Sequence, residues 1–120
     1  MRISSRTADK DVMVLEIRGR VVGDASMDLR RSINGWLAEI PEGQDPRVVL
    51  DLNRVSMMDS AGLGVLVSSY TSVQKRGGRL VLAGLGRGLQ NLIAITKLTR
   101  VFDIYESVEE AVKSFTDEDS

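Results

Sequence analysis

The spacing of apolar residues changes period several times along the chain. Met13, Leu15 and Ile17 alternate on one face of VMVLEIRG (12–19), while Val12 and Val14 fall on the other. That pattern predicts a strand buried on both faces at its start. RISSRTA (2–8) is a weaker strand, and the polar DKD at 9–11 predicts a hairpin turn between the two. From Asp24 the period lengthens. Leu29, Ile33, Trp36, Leu37 and Ile40 form an amphipathic stripe, with Asp24 or Ser26 as its cap. Gly35 inside it costs about 1 kcal/mol against alanine, so this helix depends on tertiary packing. PEGQDP (41–46) predicts a loop, and VVLDL (48–52) a central parallel strand.

MMDSAGLG (57–64) then leads into a helix over 61–76, with Leu63, Leu66, Val67, Tyr70 and Val73 on one side and Gly77-Gly78 ending it. RLVLA (79–83) is a further strand and GLGRG (84–88) a turn. Leu89, Leu92, Ile93 and Thr96 make a short helical stripe, and VFDIY (101–105) a last strand. A final helix begins at Ser107, which forms an S-x-x-E capping box with Glu110 and buries Val108, Ala111, Val112 and Phe115. The order is β-β-α-β-α-β-α-β-α. It predicts an α/β fold with a mixed, mainly parallel sheet of about five strands, about four helices and right-handed crossovers. Length predicts one domain, residues 1–116, followed by an acidic tail at 117–120 that frays.

Composition narrows the chemistry. The 42% hydrophobic and 28% charged residues are ordinary for a soluble protein. Sixteen basic and seventeen acidic residues give a net charge of −1, and only 4% are aromatic. Neither favours direct nucleic-acid binding. There is no cysteine, so no disulfide and no thiolate metal site. There is also no histidine, which removes any Ser-His-Asp triad within the chain and any histidine-ligated metal. No apolar run is long enough to cross a bilayer, and MRISSRTADKD has no apolar core of a signal peptide. The expectation is a cytoplasmic protein without membrane insertion, cofactor, metal or catalytic residues.

Ser60 is the most informative position. It sits at a strand–helix junction like a nucleophile elbow, but G-x-S-x-G is not met and the usual base is missing. Two readings stay open. Asp59 or Ser60 simply caps the helix, or Ser60 accepts phosphate from a separate kinase, which would supply base and metal. A helix N-terminus favours an added anion, Gly62 and Gly64 leave room, and Asp59 opposes it with its own charge. GLGRG has the wrong glycine spacing for a dinucleotide fingerprint and reads as a tight turn. Asp51, Asp59 and Asp103 are scattered rather than a metal cluster. Lys75, Arg76 and Arg79 read as a solvated helix end, and Met57-Met58 as strand-end packing.

The block VVLDLNRVSMMDSAGLGVLVSSYTSVQKRGGRLVLAGL resembles the STAS domain, and in particular the anti-anti-sigma factors, in which an apolar strand leads to an acidic residue, Ser or Thr, a small residue and Gly-Leu. Here those are Asp59, Ser60, Ala61, Gly62 and Leu63. ITKLTRVFDIYESVEEAV is similar to the family's last helix–strand–helix unit. The resemblance implies an anti-sigma factor antagonist that is not an enzyme. It would bind an anti-sigma serine kinase when unphosphorylated, free a sigma factor and lose that binding when Ser60 is phosphorylated. A PP2C-type phosphatase would reverse the step. The partner surface would use Asp59, Ser60, Ala61, Gly62 and Leu63, with Asp24. Two positions depart from the family pattern. Gly19 is followed by Arg20, Val21 and Val22 rather than acidic residues, and Lys97 stands where glycine is common. The resemblance also admits a STAS subunit that docks an ATPase of a membrane transport or lipid-trafficking complex without a phospho-switch, and the nucleotide binding sometimes proposed for STAS domains.

Overall fold

The computed structural model describes residues 1–118. Five strands form one sheet in sequence order: β1 (Arg2–Ala8), β2 (Val12–Val21), β3 (Arg47–Met58), β4 (Arg79–Ala83) and β5 (Ile104–Tyr105). β1 and β2 are an antiparallel hairpin, and β2 through β5 are parallel. The hairpin turn is a three-ten turn at Asp9–Asp11, as DKD predicts. Four helices follow the strands: α1 (Ala25–Ala38), α2 (Ser60–Lys75), α3 (Arg87–Ile95) and α4 (Val108–Glu118). The predicted α/β order and mainly parallel sheet are therefore found.

Because the strand order is sequential, crossovers of one hand place α1, α2 and α3 on the same face. Leu29, Ile33, Leu66, Leu89 and Ile93 from these helices pack there against Leu15, Ile17, Leu50, Leu52 and Leu82. The alternate strand residues Val12, Val14, Val49, Val81 and Ala83 meet Ala111 and Phe115 of α4 on the other face. This is the two-sided burial that VMVLEIRG and VVLDL predict, at roughly 1.5–3 kcal/mol for each fully buried large aliphatic side chain.

Several local expectations need correction. β3 continues through Asn53–Met58, because β2 extends beside it to Val21 past two register irregularities. The strand read at 101–105 shrinks to Ile104–Tyr105. A three-ten turn at Leu98–Arg100 takes up the chain before it, and Phe102 turns into the core, where Tyr70 meets it edge-on at 5.6 Å. Neither Asp24 nor Ser26 caps α1 through its side chain. The Ser26 hydroxyl instead donates to the Gly23 carbonyl at 2.8 Å. Ser107 does accept the Glu110 N–H at 3.2 Å. α4 runs to Glu118, and the end of the acidic tail, 119–120, lies outside the described residues.

The basic residues after α2 are not a simple solvated end. Gly77 adopts φ 77, and Gly78 and Gly77 donate N–H groups to the Val73 and Gln74 carbonyls, the paired bonds of a Schellman stop. Arg76 crosses to the end of α1 and donates to the carbonyls of Leu37 (2.8 Å) and Ile40 (3.0 Å), satisfying acceptors that helix leaves open. Arg79 donates to Asp103, Tyr105 and Ser114, each at 3.0 Å, and lies 4.9 Å from the Phe115 ring centroid. It thereby ties β4 to β5 and α4. Lys97 holds a left-handed backbone, φ 62, at the position where the family pattern has glycine.

Candidate functional site

The site is the edge where β2 and β3 end and α1 and α2 begin. β3 delivers the chain to Asp59 in an extended conformation, and α2 starts at the next residue. The backbone N–H of Asp59 donates to the Val21 carbonyl at the end of β2 (3.3 Å), which fixes the junction against the sheet. The Asp59 carboxylate then takes two backbone donors. One oxygen accepts the Gly62 N–H at 3.0 Å, capping α2, and the other accepts the Gly23 N–H at 2.9 Å from the loop before α1. One side chain thus caps one helix and clasps the loop that leads into the other. The Gly23 N–H first, and the Gly62 N–H next, hold the Asp59 carboxyl below its ordinary pKa.

This geometry decides which residue caps α2. Asp59 does so, and the Ser60 hydroxyl, exposed at the first helical position, has no hydrogen-bond partner among the described residues. Ala61 is also exposed. Gly62 and Leu63 are buried, Leu63 at 3% exposure, so they build the site rather than present side chains to a partner. At Gly62 a Cβ would lie 2.9 Å from the Val21 carbonyl oxygen and 2.7 Å from Met58 Cγ, so the residue is small because α2 starts close against β2. Asp24 is exposed and directly follows Gly23, which brings it to the same edge as Ser60.

Sequence reading missed the roles of four residues. Gly23 and Val21 supply backbone partners to Asp59, and no side-chain pattern signals a backbone role. Met57 is 53% exposed and Met27, in the first turn of α1, is 59% exposed, two large apolar side chains at this end of the molecule. The strand-end packing expected of the methionine pair belongs to Met58, which packs against the core, while Met57 faces out with Arg20 on its sulfur. Arg30 meets Ser68 across the two helices (3.2 Å). One turn back from that contact, Met27 on α1 is level with Gly64 on α2. No group of three or more acidic residues that could hold a metal occurs among the described residues, and no helix there is long and apolar enough to cross a membrane.

Comparison with known proteins assigns the class. The STAS domain family matches residues 5–111, and the chain belongs to it. The anti-sigma-B factor antagonist of Listeria monocytogenes is 31% identical over 102 residues, covering 85% of this chain and 86% of that protein. A crystal structure of an anti-sigma factor antagonist from Mycobacterium paratuberculosis superposes with TM-score 0.77 at 24% identity, over 94% of this chain and 93% of that one. The STAS domain of a SulP transporter from Vibrio cholerae shares the fold, with TM-score 0.70 at 20% identity, over 93% and 86%.

Proposed function

We propose that this chain is an anti-sigma factor antagonist that binds an anti-sigma serine kinase in its unphosphorylated form, and that phosphorylation of Ser60 ends the binding. It acts by occupying its partner and carries out no reaction of its own. The observation that carries this reading is the division of labour at the junction. Asp59 supplies the cap and the clasp, so the adjacent Ser60 hydroxyl is exposed and free for another protein's active site. A kinase brings its own base and metal, which suits a chain without histidine.

Ser60 and Asp24 would form the polar centre of the contact, with the small Ala61 leaving room for the partner and Met27 and Met57 as apolar anchors beside it. A phosphate on Ser60 adds about −1.5 to −2 charges. The helix N-terminus tolerates that charge, so the fold survives, whereas a partner closed over the site meets a dianion next to Asp59. The 31% identity over 86% of an antagonist favours this reading over a transporter subunit, since likeness to the transporter domain is one of fold.

The test is mass spectrometry of the protein isolated from its host under two growth conditions, with the Ser60→Ala variant alongside. Phosphate on Ser60 in one condition and none on the variant is expected. An unmodified Ser60 in every condition tested, or equal labelling of Ser60→Ala, would overturn the switch. A PP2C-type phosphatase is expected to remove the group.

A further inference from the structure

The charges of the chain are unevenly placed. All seventeen acidic residues lie at or before Asp59, or from Asp103 onwards. The stretch between them builds α2, β4, α3 and the three-ten turn at Leu98–Arg100, and its only charged side chains are basic. Two of these are engaged, Arg76 on the end of α1 and Arg79 on Asp103. Lys75 ends α2, where a cation suits the helix dipole. Arg87, Lys97 and Arg100 are exposed, and none has an ion-pair partner among the described residues.

These last three bracket α3. Leu89 and Ile93 turn the inner face of that helix to the core. Arg87, Asn91 and Ile95, at four-residue steps, run along its exposed outer face. Ile95 is 78% exposed, the most of any large apolar side chain among the described residues. A lone exposed isoleucine needs no explanation. Here half-buried Leu92 flanks it one turn back, and half-buried Leu98 follows three residues on. Gly88, with nothing within 4 Å of its Cβ position, and the exposed Ala94 leave the helix surface low around that strip. About 12 Å of helix separate Arg87 from Ile95, and Lys97 and Arg100 lie beyond it. The face therefore has an apolar strip, small residues beside it and positive charge at both ends.

We infer that the outer face of α3 docks an amphipathic acidic helix of a partner protein, its apolar stripe over Leu92 and Ile95 and its carboxylates facing Arg87 at one end and Lys97 and Arg100 at the other. Charge complementarity selects an acidic occupant, because no acid of the chain balances these cations. Asp103 is held by Arg79, and Asp51 and Glu106 line a crevice with Val108 on the α4 side of the sheet. An open helix face about two turns long, with low flanks, accepts a second helix at an interaxial distance of about 8–10 Å. A second copy of this chain, α3 to α3, would set the same cations against each other. A bilayer would gain little, since the main apolar stripe of α3 is already buried in the core. A nucleic acid would bring phosphates against Leu92 and Ile95. None of these residues belongs to the Ser60 site, so the surface does not depend on phosphorylation there.

The test is NMR titration of the isotope-labelled full chain with a capped, helix-forming peptide that carries leucines along one face and glutamates on both flanks. Shift changes centred on residues 87–100 and weakening by salt are expected. Ile95→Ser and Arg87→Gln/Arg100→Gln variants, with melting temperatures unchanged, should each bind about tenfold more weakly. The same peptide with lysine for every glutamate should leave the spectrum unchanged. Absence of shifts at millimolar glutamate peptide, shifts mapping elsewhere, binding of the lysine peptide, or equal binding by either variant would overturn the inference. So would tighter binding of vesicles containing phosphatidylglycerol, or of a short DNA duplex, than of the peptide.

Discussion

Gly62 and Gly64 lie two residues apart in α2, and alanine should act on them with opposite sign. In a helix interior alanine is favoured over glycine by about 1 kcal/mol. At Gly64 nothing lies within 4 Å of the added Cβ, so the whole gain is kept. At Gly62 the Cβ meets the Val21 carbonyl oxygen at 2.9 Å, well inside the about 3.5 Å where contact becomes favourable. Met58 can swing away, but the Val21 carbonyl is held by the Asp59 N–H and by its strand. The start of α2 must therefore move by roughly half an ångström, and such overpacking costs about 1–3 kcal/mol. Set against the propensity gain, the net effect is a loss of about 1 kcal/mol. For a domain of this size 1 kcal/mol corresponds to roughly 3–5 °C. Thermal unfolding followed by circular dichroism should show Gly64→Ala melting above the wild type and Gly62→Ala below it, roughly 5–10 °C apart. If Gly62→Ala melts as high as Gly64→Ala, the close approach of α2 to β2 is wrong. So, then, is the reason given for a small residue beside the proposed phosphorylation site.

Other outcomes follow from the same contacts. Asp59 binds fewer protons folded than unfolded, so its contribution is present above the unfolded carboxylate pKa of about 3.9 and drains away as pH falls through the lower folded value. The melting temperature of Asp59→Asn should lie below that of the wild type at pH 7, and the gap should close below about pH 4. A gap unchanged down to pH 3 would contradict the two backbone bonds. Lys97→Gly removes a left-handed cost of about 1–2 kcal/mol and adds about 0.5–1 kcal/mol of chain entropy to the unfolded state, so the variant should melt a few degrees higher. Arg79→Leu removes the bonds to Asp103, Tyr105 and Ser114 and should cost about 2 kcal/mol in denaturant unfolding; a loss near zero would show that the cluster does not hold β5 and α4.

What could be read from the chain depended on whether a residue's role lay in its own side chain and period. Core stripes such as Leu29–Ile33–Leu37 are local patterns, and they appear as read. The Gly77-Gly78 stop was equally legible, because a left-handed turn selects glycine wherever the fold puts it. Asn53–Met58 has no clean alternation, since that stretch is strand only because β2 lies beside it, so the sequence underestimates β3. VFDIY looks like a strand by composition, but Phe102 is drawn into the helical side of the core and the pairing is lost. At the site, Asp59 and Ser60 were both visible as cap candidates, and only the geometry separates them. The reach of Arg76 to α1 spans 39 positions and leaves no trace in local spacing.

The sequential strand order has a consequence for synthesis on the ribosome. Each strand joins the one made before it, and α1, α2 and α3 cover their face as they appear. The other face has a single cover, α4, whose Phe115 comes about a hundred residues after Val14. At about 5–20 residues per second, Val12, Val14 and Val49 wait several seconds without their partner. During that interval the growing chain is a one-sided sheet, and a chaperone or a neighbouring nascent chain has its best opportunity to reach those valines before α4 closes over them.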